Sequence, residues 1–166
     1  MIHMDEVLNV CAGAMSTSAV PAGEVILTDG ARAGVLFVLA EGEVEILKGD
    51  IQIVVLSEPG AVLGDISVLL DAPHTATVKT VTPCHFYVID APEDFLRAHP
   101  EVALDIARRL AERLHSMTSY LVDLKKQYEG SDDHFGMVDE VLETLSHAQR
   151  SRHEPGSDRD PDPDVT

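Results

Sequence analysis

Tryptophan is missing from this chain, and only four phenylalanines and three tyrosines occur. With so few rings, the core must be assembled from Val, Leu, Ile and Ala. Positive charge is nearly as scarce: 12 Lys and Arg stand against 29 Asp and Glu, for a formal net charge of −17. A field of that sign repels polyphosphate backbones and acidic lipid surfaces, which argues against nucleic-acid and membrane partners. Cys11 and Cys84 are the only cysteines and form no CxxC pair, a pattern that suits a reducing compartment and inert thiols. No apolar stretch approaches the length of a spanning helix. The start MIHMDEVLNV lacks the basic-then-apolar order of a secretory leader. A cytoplasmic location is therefore expected.

What is present reads as one domain of ordinary size with flanking helices. After an N-terminal helical segment, residues 1–20, short strands punctuated by glycine run from Pro21 to Ile89. The expected strands are Val25–Thr28, Val35–Ala40, Glu43–Leu47, Ile51–Leu56, Thr75–Val81 and His85–Ile89. In GEVEIL, Val44 and Ile46 face one way and Glu43 and Glu45 the other, and Lys48-Gly49-Asp50 makes a hairpin to IQIVVL. Gly23, Gly30, Gly34, Gly42 and Gly60 fall between strands, where the chain must turn. Strands this short and this closely spaced predict an all-β sandwich or barrel.

Beyond Ile89 the period becomes helical. Asp90-Ala-Pro-Glu93 starts a short helix within the 21–99 segment, and Pro100 opens a long one to about Glu129. Along it Ala107, Leu110, Leu114, Met117, Leu121, Leu124 and Tyr128 recur at steps of three and four, a heptad seam that predicts a homodimer. A further helix is expected within 130–150, with Val138, Val141, Leu142 and Leu145 on one face. SRHEPGSDRDPDPDVT, residues 151–166, is too polar to bury and is expected to be a disordered acidic tail.

LGDISVLLDAPHTATV, Leu63–Val78, carries the chemistry. Gly64 has no Cβ and lets a ligand approach the backbone. Ile66, Ser67, Val68, Leu69 and Leu70 can then form a helical turn whose first amides have no internal partner and favour an anion. Asp65 suits ribose hydroxyls as a hydrogen-bond acceptor. His74 and Thr75, returning after Pro73, bring a cationic donor and a hydroxyl. A sugar phosphate joined to a base would use all of them.

From about Pro21 to Glu129 the chain resembles the cyclic nucleotide-binding domain, the β-roll of bacterial catabolite activator proteins and protein kinase A regulatory subunits. The resemblance rests on PAGEVILTDG, AGVLFVLAEGEVEI and LSEPGAVLGDISVLLDAPHTATVKT. It implies a mainly β fold with helices: an antiparallel β-roll (jelly roll) followed by a long C-terminal helix and one further helix. It also implies a ligand, cAMP or cGMP, held by Gly64, Asp65, Ile66, Ser67, His74 and Thr75, with no other cofactor. Thr118-Ser119 on the long helix lies where catabolite activators place a Thr-Ser pair near the purine. Two positions depart from the family pattern. Asp65 replaces a Glu, one methylene longer, and His74 replaces an Arg that pairs with the phosphate. The imidazole keeps a donor but loses permanent charge and the bidentate fork.

Other chemistries find no support in the residue spacing. His74, His85, His99 and His115 stand singly, so no metal-ligand set is expected, and LGDIS lacks a nucleophile elbow. No basic recognition helix follows the long helix. The expected function is that of a stand-alone regulatory or sensor protein, not an enzyme, that binds a cyclic nucleotide with reduced affinity and signals through helix rearrangement in a dimer. The alternative is a degenerate roll that binds no nucleotide and recruits a protein partner.

Overall fold

The computed structural model describes residues 4–128 and 135–148. Helix α1 (Met4–Ala14) leads into β1 (Ser16–Val20), β2 (Val25–Leu27), β3 (Leu36–Glu41), β4 (Val44–Lys48), β5 (Ile51–Leu56) and β6 (Val62–Leu63). Helix α2 (Asp65–Leu70) interrupts the strands before β7 (Thr77–Thr80) and β8 (Cys84–Ile89). Helices α3 (Pro92–Ala98), α4 (Pro100–Gln127) and α5 (Phe135–Ala148) follow. No helix among the described residues is long and apolar enough to cross a membrane.

The strands form two four-stranded antiparallel sheets, ordered β1-β8-β3-β6 and β2-β7-β4-β5. Their shared core is aliphatic, as the shortage of rings requires: Leu27, Leu39, Val44, Leu63 and Val78 pack with Ala61, Cys84 and Phe86. Phe86 also meets Phe37 edge-on, with centroids 5.9 Å apart. On α1, Val7 and Cys11 lie one turn apart, both fully buried, and the helix packs on β3.

Two strands lie outside the sequence expectation. Ser16–Val20 belongs to a strand rather than to an N-terminal helix, because its β-branched Thr17 and Val20 find a register on β8. β6 is only two residues long and carries no period of its own. β5 sits at a sheet edge with Ile51, Ile53, Val54 and Val55 exposed, and the register on β4 slips so that Ile53 has no opposite residue.

One compact unit ends at Arg109 and a second begins at Leu110. In the first, α4 buries Val102, Asp105 and Ile106. Asp105 faces Arg109, whose Nε lies 2.8 Å from Oδ2 and whose Nη1 donates to the Gly60 carbonyl at 3.2 Å. This ties the helix to the turn before β6. In the second unit, Lys125 of α4 pairs with Asp139 of α5. Of the expected seam, Ala107, Leu114, Met117 and Tyr128 are exposed, while Leu110, Leu121 and Leu124 are half-buried. The expected tail, 151–166, lies outside the described residues.

Gly42 has φ 103°, and a Cβ there would lie 2.5 Å from the Pro83 carbonyl oxygen and 2.6 Å from Cys84 Sγ. Gly42→Ala is expected to cost roughly 2–4 kcal/mol in urea unfolding, combining backbone strain with a clash against backbone. Gly49→Ala, at positive φ in open space, should cost about 1 kcal/mol. Burial pushes the Cys11 thiol from its ordinary 9.0 up to about 11. The unfolded chain therefore ionises first, so stability present below pH 9 is lost as pH rises from 9 through 11. The urea midpoint should fall over that window, and should fall less steeply in Cys11→Ala.

Candidate functional site

The site is built where β6 ends and the chain turns into α2. Gly64, the N-cap, adopts φ 88° and ψ 7°. A Cβ at that position would sit 3.0 Å from the Val35 carbonyl oxygen and 3.9 Å from His74 Cε1. Only glycine lets β6 hand over to α2 this close to β3. The helical ladder begins with Val68, whose amide donates to the Gly64 carbonyl at 3.2 Å. The amides of Asp65, Ile66 and Ser67 lie ahead of that ladder.

Asp65 and Ser67 are buried and His74 is 5% exposed, while Gly64 and Ile66 are half-buried and Thr75 is exposed. His74 is fixed through its backbone: its amide donates to the Ala31 carbonyl and its carbonyl accepts from the Gly30 amide, each at 2.8 Å. This two-way clasp to the β2–β3 turn holds the ring toward Gly64. Its Nε2 is buried and has no hydrogen-bond partner. Thr75 is held through its carbonyl, which accepts from Lys48 Nζ at 2.8 Å, and the same ammonium pairs with Asp29.

Two expected ligand groups are engaged within the protein. Asp65 Oδ1 accepts the Ile66 amide at 3.0 Å, the kind of local bond a short carboxylate makes at a helix start. Ser67 Oγ donates to the Ala72 carbonyl and closes the other end of α2, where Asp71 adopts the left-handed conformation at φ 48°. Thr118 and Ser119 belong to the second compact unit. Thr118 Oγ1 donates to the Leu114 carbonyl of its own helix, and Ser119 is exposed.

Beside α2 opens a cleft of about 460 Å³, lined in part by Arg32, Gly34, Ser67, Asp71, Glu93 and Asp94. Arg32 and Asp71 pair across it at 3.2 Å. Arg32, Lys48 and Arg109 were not singled out by the sequence reading. For Arg109 a signal existed, an acid and a base one helical turn apart in DIARR. For Arg32 and Lys48 there was none, since both act across the sheets.

Gly64→Ala is expected to lower stability by about 1–3 kcal/mol, because the left-handed backbone is strained for alanine and Val35 must retreat. Thermal unfolding would measure this. A cost equal to that of Gly49→Ala would mean that the Val35 contact exerts no constraint.

Comparison with known proteins places this geometry. Residues 17–99 match the family model described as "Cyclic nucleotide-binding domain". A cAMP-dependent protein kinase regulatory subunit from Yarrowia lipolytica is 32% identical over 68 residues, 41% of this chain and 18% of that protein. The chain thus spans about a fifth of the curated relative it matches. The Thermus thermophilus Catabolite Activator Protein aligns with a TM-score of 0.62 at 18% identity, covering 89% of this chain and 84% of that one. The structure "Sp-2Cl-cAMPS bound to PKAR CBD2" aligns with a TM-score of 0.56 at 21% identity, over 71% and 86%. A third, "A cyclic-GMP-dependent signalling pathway regulates bacterial phytopathogenesis", gives 0.57 at 19% identity, over 67% and 93%. The fold is the antiparallel β-roll with trailing helices that these neighbours share, and the chain belongs to the cyclic nucleotide-binding domain family.

Proposed function

We propose that this chain is a regulatory module that takes up a cyclic nucleotide, cAMP or cGMP, at the α2 cassette. The observation that carries the reading is the buried, unpartnered Nε2 of His74, on a ring whose Cε1 lies 3.9 Å from where a Gly64 Cβ would stand. A polar atom left in that state costs about 1–3 kcal/mol, and a bound anion supplies its partner. The cyclic phosphate would lie between this nitrogen and the Asp65–Ser67 backbone, with Thr75 at the rim. Asp65 reaches a ribose only by sharing or giving up its bond to Ile66, so the expected affinity is lower than that of a cassette with Glu and Arg. The cation and hydroxyl donors serve binding, and the family is one of ligand-binding rather than catalytic domains.

The exposed Leu114 and Met117 on α4, with Tyr128 just beyond its end, support self-association through that helix, with two copies burying the seam. Ligand would order the cassette and bias how the following helices pack.

A second reading has its own observation. Asp65 and Ser67 side chains already make internal hydrogen bonds. In that case the roll is a degenerate scaffold that recruits a protein through its C-terminal region.

Thermal unfolding with cAMP, cGMP and 5′-AMP separates the two. A cyclic nucleotide present about 100-fold above its Kd should stabilise by ~2.7 kcal/mol, and 5′-AMP should not. Mass spectrometry of small molecules released from natively purified protein should show the bound nucleotide. No shift with either cyclic form, together with no released nucleotide, would leave the scaffold reading standing. Sedimentation velocity should show a dimer that Leu114→Glu with Met117→Glu converts to a monomer.

A further inference from the structure

We infer that the cassette binds its anion together with a proton, so that ligand affinity is set by pH through His74. This rests on the nucleotide reading above and adds to it a regulation of the same site.

The β2–β3 turn that clasps His74 carries Asp29 and Arg32, the end of β4 carries Lys48, and α2 carries Asp65 and Asp71. Next to α2, α3 contributes Glu93 and Asp94 to the cleft that Ser67 and Ala72 also line. The two cations on the adjacent elements are already engaged: Arg32 faces Asp71, and Lys48 faces Asp29 while also bonding the Thr75 carbonyl. Asp65 then adds a buried negative charge at the start of α2. Neither Arg32 nor Lys48 is thus held in reserve for a ligand, inside a protein of net charge −17.

A phosphate entering that set with a neutral imidazole would gain a single neutral donor and would face the Asp65 carboxylate. With the imidazolium, it gains a buried cation whose ring edge lies beside Gly64, so that its own charge meets one of opposite sign. Hydrogen bonds to charged partners are roughly twice as strong as neutral ones. Histidine is also the side-chain type whose protonation changes between pH 5 and 8, so the required proton is available from solvent in that range. The unpartnered Nε2 is the atom through which both events act: it takes the proton and donates it toward the phosphate. An arginine at this position, always charged, could not make binding pH-dependent.

Isothermal titration of cAMP and cGMP into the full chain, from pH 5.5 to 8.5, tests this. Repeating it at pH 7.5 in HEPES and in Tris counts protons, because those buffers release them with different heats. Kd should weaken as pH rises across this range, by up to about tenfold per pH unit, with net proton uptake on binding at pH 7.5. His74→Arg should bind with an affinity independent of pH and with no proton uptake. Binding by the unmodified chain with a flat Kd and equal heats in both buffers would overturn the proton coupling and leave the nucleotide reading intact. Absence of binding at pH 5.5 as well as at 8.5 would overturn the nucleotide reading, and the coupling with it. The buffer comparison needs no variant, so misfolding of His74→Arg cannot obscure the result.

Discussion

The approach of three chain segments at Gly64 is the constraint on which the rest depends. The Val35 carbonyl stands 3.0 Å from where any side chain at residue 64 would begin, and the His74 ring closes the space from another direction. A residue with a Cβ would force the Val35 carbonyl, just ahead of β3, to give by a few tenths of an ångström, while Leu27 and the His74 ring edge would stay in ordinary contact. The same absence of a side chain sets the left-handed backbone that launches α2, so the position of the first cassette amides follows from that packing. The start of α2 and its packing against Val35 are therefore one steric solution.

Polar satisfaction then decides what the cassette can offer. Asp65 and Ser67 are buried, and each makes a hydrogen bond at one end of α2, so this six-residue helix is closed at both ends by its own side chains. His74 is buried on comparable terms, yet its ring nitrogen has no such closure. In a protein interior, an orphan polar atom among satisfied neighbours is where free energy remains to be recovered. That contrast between adjacent groups directs attention to the imidazole rather than to the carboxylate.

Much of the roll was legible because its signals are local. GEVEIL alternates, and Val44 is fully buried; the glycines placed between strands do adopt positive φ; Ile51–Leu56 appears with the expected bounds. The failures share a cause. STSAV is polar and half exposed, and becomes a strand only because β8 lies beside it. β6 takes its identity from β3 through two residue pairs. At the site, the order of residue types pointed to Gly64 and His74, whereas the inward turn of Asp65 onto its own helix depends on a bond one residue away that composition cannot reveal. The Asp29–Lys48–Thr75 bridge joins residues 19 and 27 positions apart, beyond any sequence period.

The slipped register at Ile53 bears on how the molecule tolerates its own rim. An oily outermost strand ordinarily offers a template on which foreign chains can lay down rung after rung. Here the surplus residue distorts the spacing that an incoming backbone would need to match, and bulges of this kind bend and twist the strand that holds them. The apolar side chains stay available to a shaped surface such as a helix, while open-ended stacking is denied its second rung. One inserted residue thus separates stickiness from fibre growth.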